Sequence, residues 1–322
     1  MTPAEGTLAA AAAALRARER TAVEAVEESL RRIDVLDPQL NAFLSLRAEE
    51  ALAEAAALDR GEGPGAGGPL HGVPVGIKDV LHVAGLPTTC ASAALRDAVA
   101  CEDAASVARL RAAGAVVVGK LNTHELAYGP LTTSRAFGRA CNPWDTGRAT
   151  GGSSGGSAAA TAAGLVPGAL GTDTAGSIRI PTAFCGVSGI RPSTGLVPGR
   201  GMVPLSWSVD TVGPIARTVE DCALLLDAIA GHDPADPTSV LPAAGPVAPG
   251  AYAAAAREGA AAAQGLRIGV IEALLEGDLD PRIAAAARAA AEALRDAGAT
   301  LVSVAMPHVE RAGLVQQALQ FP

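Results

Sequence analysis

The sequence predicts a single α/β layered domain. Short apolar runs of strand length alternate with segments of helical period, and glycine-rich turns separate them. The 322 residues are 49% hydrophobic but only 2% aromatic, so Ala, Val, Leu and Ile must fill the core. A net charge of −8 argues against direct nucleic-acid binding, since phosphate contacts need clustered cations. The five scattered cysteines form no C-x-x-C pair or Cys/His cluster, which indicates neither a disulfide framework nor a metal site and suits the cytoplasm. No uncharged apolar window is long enough to cross a membrane. The apolar run 8–15 has Glu5 before it and arginines after it, the reverse of a secretory signal.

Taken in order, Thr21 and Glu24 form a capping box that opens a helix to about Leu36, with Asp37-Pro38 as its stop. A second helix is expected over 47–58, and residues 61–68 form a loop. Residues 73–80 read as a buried strand with Lys78 and Asp79 at its carboxyl end, where functional groups of α/β sheets gather. A helix over 103–113 and a strand over 115–118 follow. Then come a short strand at 186–191 and a helix at 218–229 begun by Thr218 and Asp221. A Pro/Ala/Gly-rich connection covers 241–250. Strand 266–271, a helix near 281–297 and strand 300–304 form a last unit. The chain stops at Leu319–Pro322 within a helical pattern, which predicts a domain truncated at its C-terminus.

Two Gly/Ser loops, Gly151–Ser157 and Gly171–Arg179, stand between these apolar runs. As a flexible linker the first would separate domains, yet it leads directly into the apolar stretch 158–170. Dense glycine instead allows several backbone N–H groups to converge on one point, as in anion and oxyanion sites. Gly114–Leu121 nearly spells a phosphate-binding loop, but Leu121 replaces the Ser or Thr that holds magnesium and the valines favour a strand. No G-x-G-x-x-G follows a strand, so a dinucleotide site is not indicated. Gly152-Ser153-Ser154-Gly155-Gly156 matches G-x-S-x-G, with Ser154 as nucleophile and Asp233 and His308 as partners. That motif requires a preceding strand, whereas 142–147 is turn-forming.

A lysine base is the remaining design. Of 25 basic residues only Lys78 and Lys120 are lysine. Arginine keeps its charge near neutrality, while a buried lysine can lose its proton and deprotonate a serine. Lys120 is read as structural.

Three separated runs, Gly76-Ile77-Lys78-Asp79, Gly151–Ser157 and Gly171–Arg179, together resemble the amidase signature family. The 75 residues from Lys78 to Ser153 and the 24 from Ser153 to Ser177 also fit it, and the resemblance covers about 21–230. It implies a mixed β-sheet core flanked by helices on both faces. It also implies one amidase domain over 1–322, with a helical segment to about 60, a catalytic core over about 70–230 and an incomplete part over about 260–322.

By the resemblance, Ser177 is the nucleophile and Ser153, following a cis peptide, relays its proton to the base Lys78. The N–H groups of Thr174, Ala175, Gly176 and Ser177 form the oxyanion hole, and no cofactor is implied. Where the family commonly has Gly-Gly-Ser, this chain has Ala175-Gly176-Ser177. Ser154 and Asp173 are expected to brace the loops, Arg179 to make a structural ion pair, and Tyr128 to line the pocket.

The segment 81–92 resembles the glutamine-hydrolysing component of tRNA-dependent amidotransferases. That component usually carries Met-Asp-Glu-Phe where this chain has Thr123-His124-Glu125-Leu126. The expected activity is therefore that of a stand-alone amidase on a small linear or urea-type amide, working alone or as a homodimer. The glutaminase component, with amidotransferase partner subunits, is the alternative. An inactive or binding-only fragment is the other.

Overall fold

Helix α1 (Leu8–Arg16) precedes α2 (Ala22–Leu40), whose start is the expected capping box. Thr21 Oγ1 accepts from Glu24 N at 3.1 Å, and Glu24 Oε2 accepts from Thr21 N at 2.8 Å. The helix continues through the expected stop at Asp37-Pro38. Pro38 lies in its last turn, and left-handed Asn41 (φ 49°) ends it. The Asp37 carboxylate shapes the exit by accepting from Ala42 N (2.7 Å) and Phe43 N (3.2 Å).

The computed structural model describes residues 6–241, 245–276 and 279–320. Contacts divide the chain into two units, one ending at Ala253 and one beginning at Ala254. The first unit is built on a six-stranded mixed sheet. Its strands are β1 (Phe43–Leu46), β2 (Pro74–Lys78), β3 (Val116–Leu121), β4 (Gly168–Asp173), β5 (Ser188–Gly189) and β6 (Thr211–Ala216), in the order β1-β3-β2-β4-β6-β5. β2 runs parallel to β3 and β4, while β1, β6 and β5 pair antiparallel. Lys78, Leu121 and Asp173 therefore end their strands at one edge, and β6 begins there with Thr211 opposite Asp173.

Every residue of β2, β3, β4 and β6 is buried, so both sheet faces are covered. Helices α3 (Ala48–Asp59), α4 (Ala105–Ala112), α5 (Gly155–Ala162), α6 (Arg179–Cys185) and α7 (Val219–Ile229) complete the layers. All eight residues of α5 are buried. Gly156 permits this close approach, since a Cβ there would lie 2.5 Å from the backbone N and O of Asn122.

Three further expectations change. The strand expected at 115–118 runs to Leu121 and takes Lys120 into the sheet, because a buried carboxylate pairs with its ammonium. The strand expected at 186–191 shrinks to two residues, since Gly186 caps α6 and Arg191 is drawn to Asp173. The turn-like 142–147 belongs to a small hairpin, Cys141–Asn142 with Asp145–Ala149, outside the main sheet.

Residues 242–244 of the expected connection lie outside the described residues. In the second unit, Arg267–Val270 and Thr300–Ser303 pair in parallel, joined by helix Pro281–Asp296 with Asp280 as its cap. Among the described residues no helix is long and apolar enough to cross a membrane.

Candidate active site

Lys78 closes β2 with no exposed surface, and its Nζ lies 2.7 Å from Ser153 Oγ and 2.8 Å from Thr172 Oγ1. Burial pushes its pKa from 10.5 down to about 7, against the opposing pull of Asp210, Asp173 and Cys90. The amine thus sits near its neutral form at physiological pH, bonded to two hydroxyls.

Ser153 follows the cis peptide Gly152–Ser153 and is also fully buried. Its carbonyl accepts from His124 N (3.1 Å) and from the Thr132 hydroxyl (3.2 Å). Thr132 Oγ1 also donates to Gly151 O at 2.8 Å and accepts from Gly155 N at 2.9 Å. One threonine from a separate segment therefore fastens three points of the first loop. Ser154, which follows, binds the end of β4: its Oγ donates to Thr172 O (3.0 Å) and accepts from Thr172 N (3.2 Å).

The second loop is organised by Asp173, which is fully buried at the end of β4. Its carboxylate accepts from Gly176 N (2.8 Å) and Ile178 N (3.1 Å) and pairs with Arg179 and Arg191, each at 3.0 Å. Burial would raise its pKa. The Arg179 hydrogen bond and the two amides prevail and hold it well below the ordinary carboxylate range. Ser177 is half-buried, and its carbonyl accepts from Ser154 N at 3.1 Å, joining the two serine loops.

Gly176 departs from the expected oxyanion set, because its N–H already serves Asp173. The Thr174 hydroxyl bonds Asp210 and its carbonyl accepts from Arg191 at 3.1 Å. Ala175 is exposed and makes no hydrogen bond among the described residues. The position that needs glycine is 176, with φ +130°; Ala175 lies outside that region, so alanine is accommodated there.

The G-x-S-x-G reading fails because the Ser154 hydroxyl is locked between two backbone groups. Asp233 pairs instead with Arg200 at 2.8 Å, and His308 is an exposed side chain 3.9 Å from Glu310. Lys120 is structural as expected, 2.7 Å from Asp79 Oδ1. Arg179 braces Asp173 as expected. Tyr128 is 46% exposed, on the segment whose His124 N–H holds Ser153. Thr132, Thr172, Arg191 and Asp210 belong to the site although no local pattern in the sequence marks them.

The amidase family model matches residues 24–316. Among curated proteins, the chain is 48% identical over 307 residues to the glutamyl-tRNA(Gln) amidotransferase A subunit of Chloroflexus aggregans, covering 95% of this chain and 61% of that protein. The Nitratidesulfovibrio vulgaris protein of the same name is 48% identical over 302 residues, covering 94% and 60%. The chain thus spans about three-fifths of these relatives' length. Among solved structures, the native peptide amidase of Stenotrophomonas maltophilia superposes with a TM-score of 0.85 at 38% identity, covering 98% of this chain and 65% of that one. The corresponding glutamyl-tRNA(Gln) amidotransferase protein of Thermotoga maritima gives 0.80 at 35% identity, covering 93% and 62%. With its two serine loops, its buried lysine and these likenesses, the chain belongs to the amidase signature family of hydrolases.

Proposed function

We propose that the chain is a serine amidohydrolase with Ser177 as nucleophile, Ser153 as proton relay and Lys78 as base. The observation that carries this reading is the 2.7 Å contact between two fully buried groups, Lys78 and Ser153. Ser177 Oγ attacks the amide carbonyl carbon while its proton passes to Ser153 Oγ and the Ser153 proton passes to Lys78 Nζ. The tetrahedral oxyanion is met by the N–H groups of Thr174, Ala175 and Ser177, and each such donor contributes about 10²–10³ in rate. The C–N bond then breaks as the lysine proton returns through Ser153 to the leaving nitrogen. Water, deprotonated by the same relay, releases the acid and regenerates Ser177.

The amide is read as a small linear or urea-type one, cleaved in the cytoplasm by the chain alone or as a homodimer, with Tyr128 on the pocket wall. Thr123-His124-Glu125-Leu126 in place of Met-Asp-Glu-Phe supports it. A second reading, hydrolysis of glutamine with amidotransferase partner subunits, is favoured by the 48% identity to the Chloroflexus aggregans protein. A fluorophosphonate probe is expected to give a single adduct on Ser177 that is absent in Ser177→Ala. A wild-type chain left unlabelled would remove the enzyme reading in favour of a binding-only protein. Ammonia release from a panel of small amides, ureas and glutamine separates the two substrates: release from glutamine only with partner subunits present selects the second.

A further inference from the structure

Lys120 is buried as completely as Lys78, yet the proposed chemistry does not use it. In the β2–β3 register Lys78 stands beside Leu121 and Ile77 beside Lys120. Side chains alternate along a strand, so Asp79 and Lys120 share the sheet face opposite Lys78. Besides its ion pair with Asp79, Lys120 Nζ donates to Pro87 O (3.0 Å) and Thr88 Oγ1 (3.1 Å). The other carboxylate oxygen of Asp79 accepts from Thr89 N (3.0 Å) and from the Thr89 hydroxyl, and Asp79 O accepts from Cys90 N (3.0 Å).

Each residue from Pro87 to Cys90 is thus fastened to this pair. The next step is strained: Cys90 (φ 51°) and Ala91 (φ 52°) are both left-handed, a conformation held only by such anchoring. The Cys90 carbonyl accepts from Leu126 N (2.8 Å), in the segment whose His124 N–H holds Ser153. The Cys90 thiol is fully buried, pushed by burial up to about 12 and therefore neutral, and it lies close enough to Lys78 to feel its charge.

We propose that the Lys120–Asp79 pair is a positioning device for the base: it clamps the 87–91 loop so that Cys90 keeps water from Lys78, and it neutralises the carboxylate adjoining it in sequence. The inference rests on the reading of Lys78 as base. The groups facing Lys78 are Asp210 before β6, Asp173 at the end of β4, the Cys90 thiol and His124. Lys120→Met replaces none of these residues. It loosens the loop and exposes the Asp79 charge, and both effects raise the proton affinity of Lys78.

The experiment is the pH dependence of the rate at which the fluorophosphonate labels Ser177. The wild-type rate should rise through about pH 7, following Lys78. In Lys120→Met the rise should move about one pH unit upward, making labelling about fivefold slower at pH 7 and about tenfold slower well below it while the alkaline plateau is regained. A lower plateau with an unmoved midpoint indicates mere structural support and overturns the proposal. Where Lys120→Met does not fold, Cys90→Ala decides: it keeps the ion pair, admits water beside Lys78 and should shift the midpoint the same way, and an unmoved midpoint overturns the proposal. Absence of labelling in the wild type would mark failure of the base reading; labelling with unshifted midpoints marks failure of this inference alone.

Discussion

Burying Lys78 brings its amine near neutrality and also weighs on stability. The unfolded lysine holds its proton up to about pH 10.4, whereas the folded one releases it near 7. Between those values the unfolded chain binds more protons, so this group's contribution to stability rises with pH. Activity should rise through pH 7, because only the neutral amine accepts a proton, and Lys78→Ala should lose about 10²–10⁴ in rate. Lys78→Met should be slowed to the same extent yet melt higher than the wild type at pH 7, and calorimetry should find the gap narrowing toward pH 10. Asp173 gives a slope of the same sign at acid pH, but there the ionised form stabilises the fold. Its depressed pKa contributes stability that is present above the ordinary carboxylate value and lost as pH falls below it. Asp173→Asn leaves Arg191 and Arg179 without a counter-charge, and breaking buried pairs of this kind costs about 3–5 kcal/mol; discounting the half-exposed Arg179, denaturant titration should give a loss at the lower end of that range.

The elements differ in how far the sequence announces them. The strand ending in Lys78 and the capped helices at Thr21 and Thr218 follow from local chemistry, and the structure has them within a few residues. Lys120 was unreadable as a strand residue because only a distant pairing with Asp79 makes its burial tolerable. The loops were legible as glycine-rich, but their clasps were not: Thr132 acts across 21 residues on Ser153, and Thr174 across 36 on Asp210. Such contacts exist only after the sheet assembles. The tight seating of α5 gives a test at this scale. Gly156→Ala places a methyl 2.5 Å from main-chain atoms that cannot swing aside. Urea titration should show a loss of about 1–3 kcal/mol, with activity lowered because Ser153 leads into the same helix.

At the scale of the molecule, the −8 charge bears on partners. The chain alone should show no salt-sensitive mobility shift with tRNA at low ionic strength, since phosphate binding needs clustered cations; a shift that weakens steeply with salt would contradict this. The site also draws on distant parts of the chain. Lys78 reaches Ser153 across 75 residues and Thr172 across 94, so no local segment can form it. Until β2, β4 and α5 have met, the lysine is hydrated and protonated, and its contacts with Ser153 and Thr172 do not exist. Under the proposed mechanism, a nascent chain emerging from the ribosome is therefore chemically silent toward the amides of its own backbone and of its neighbours. Under the proposed mechanism, activity appears only once these three elements are together, so its onset reports the assembly of this part of the fold.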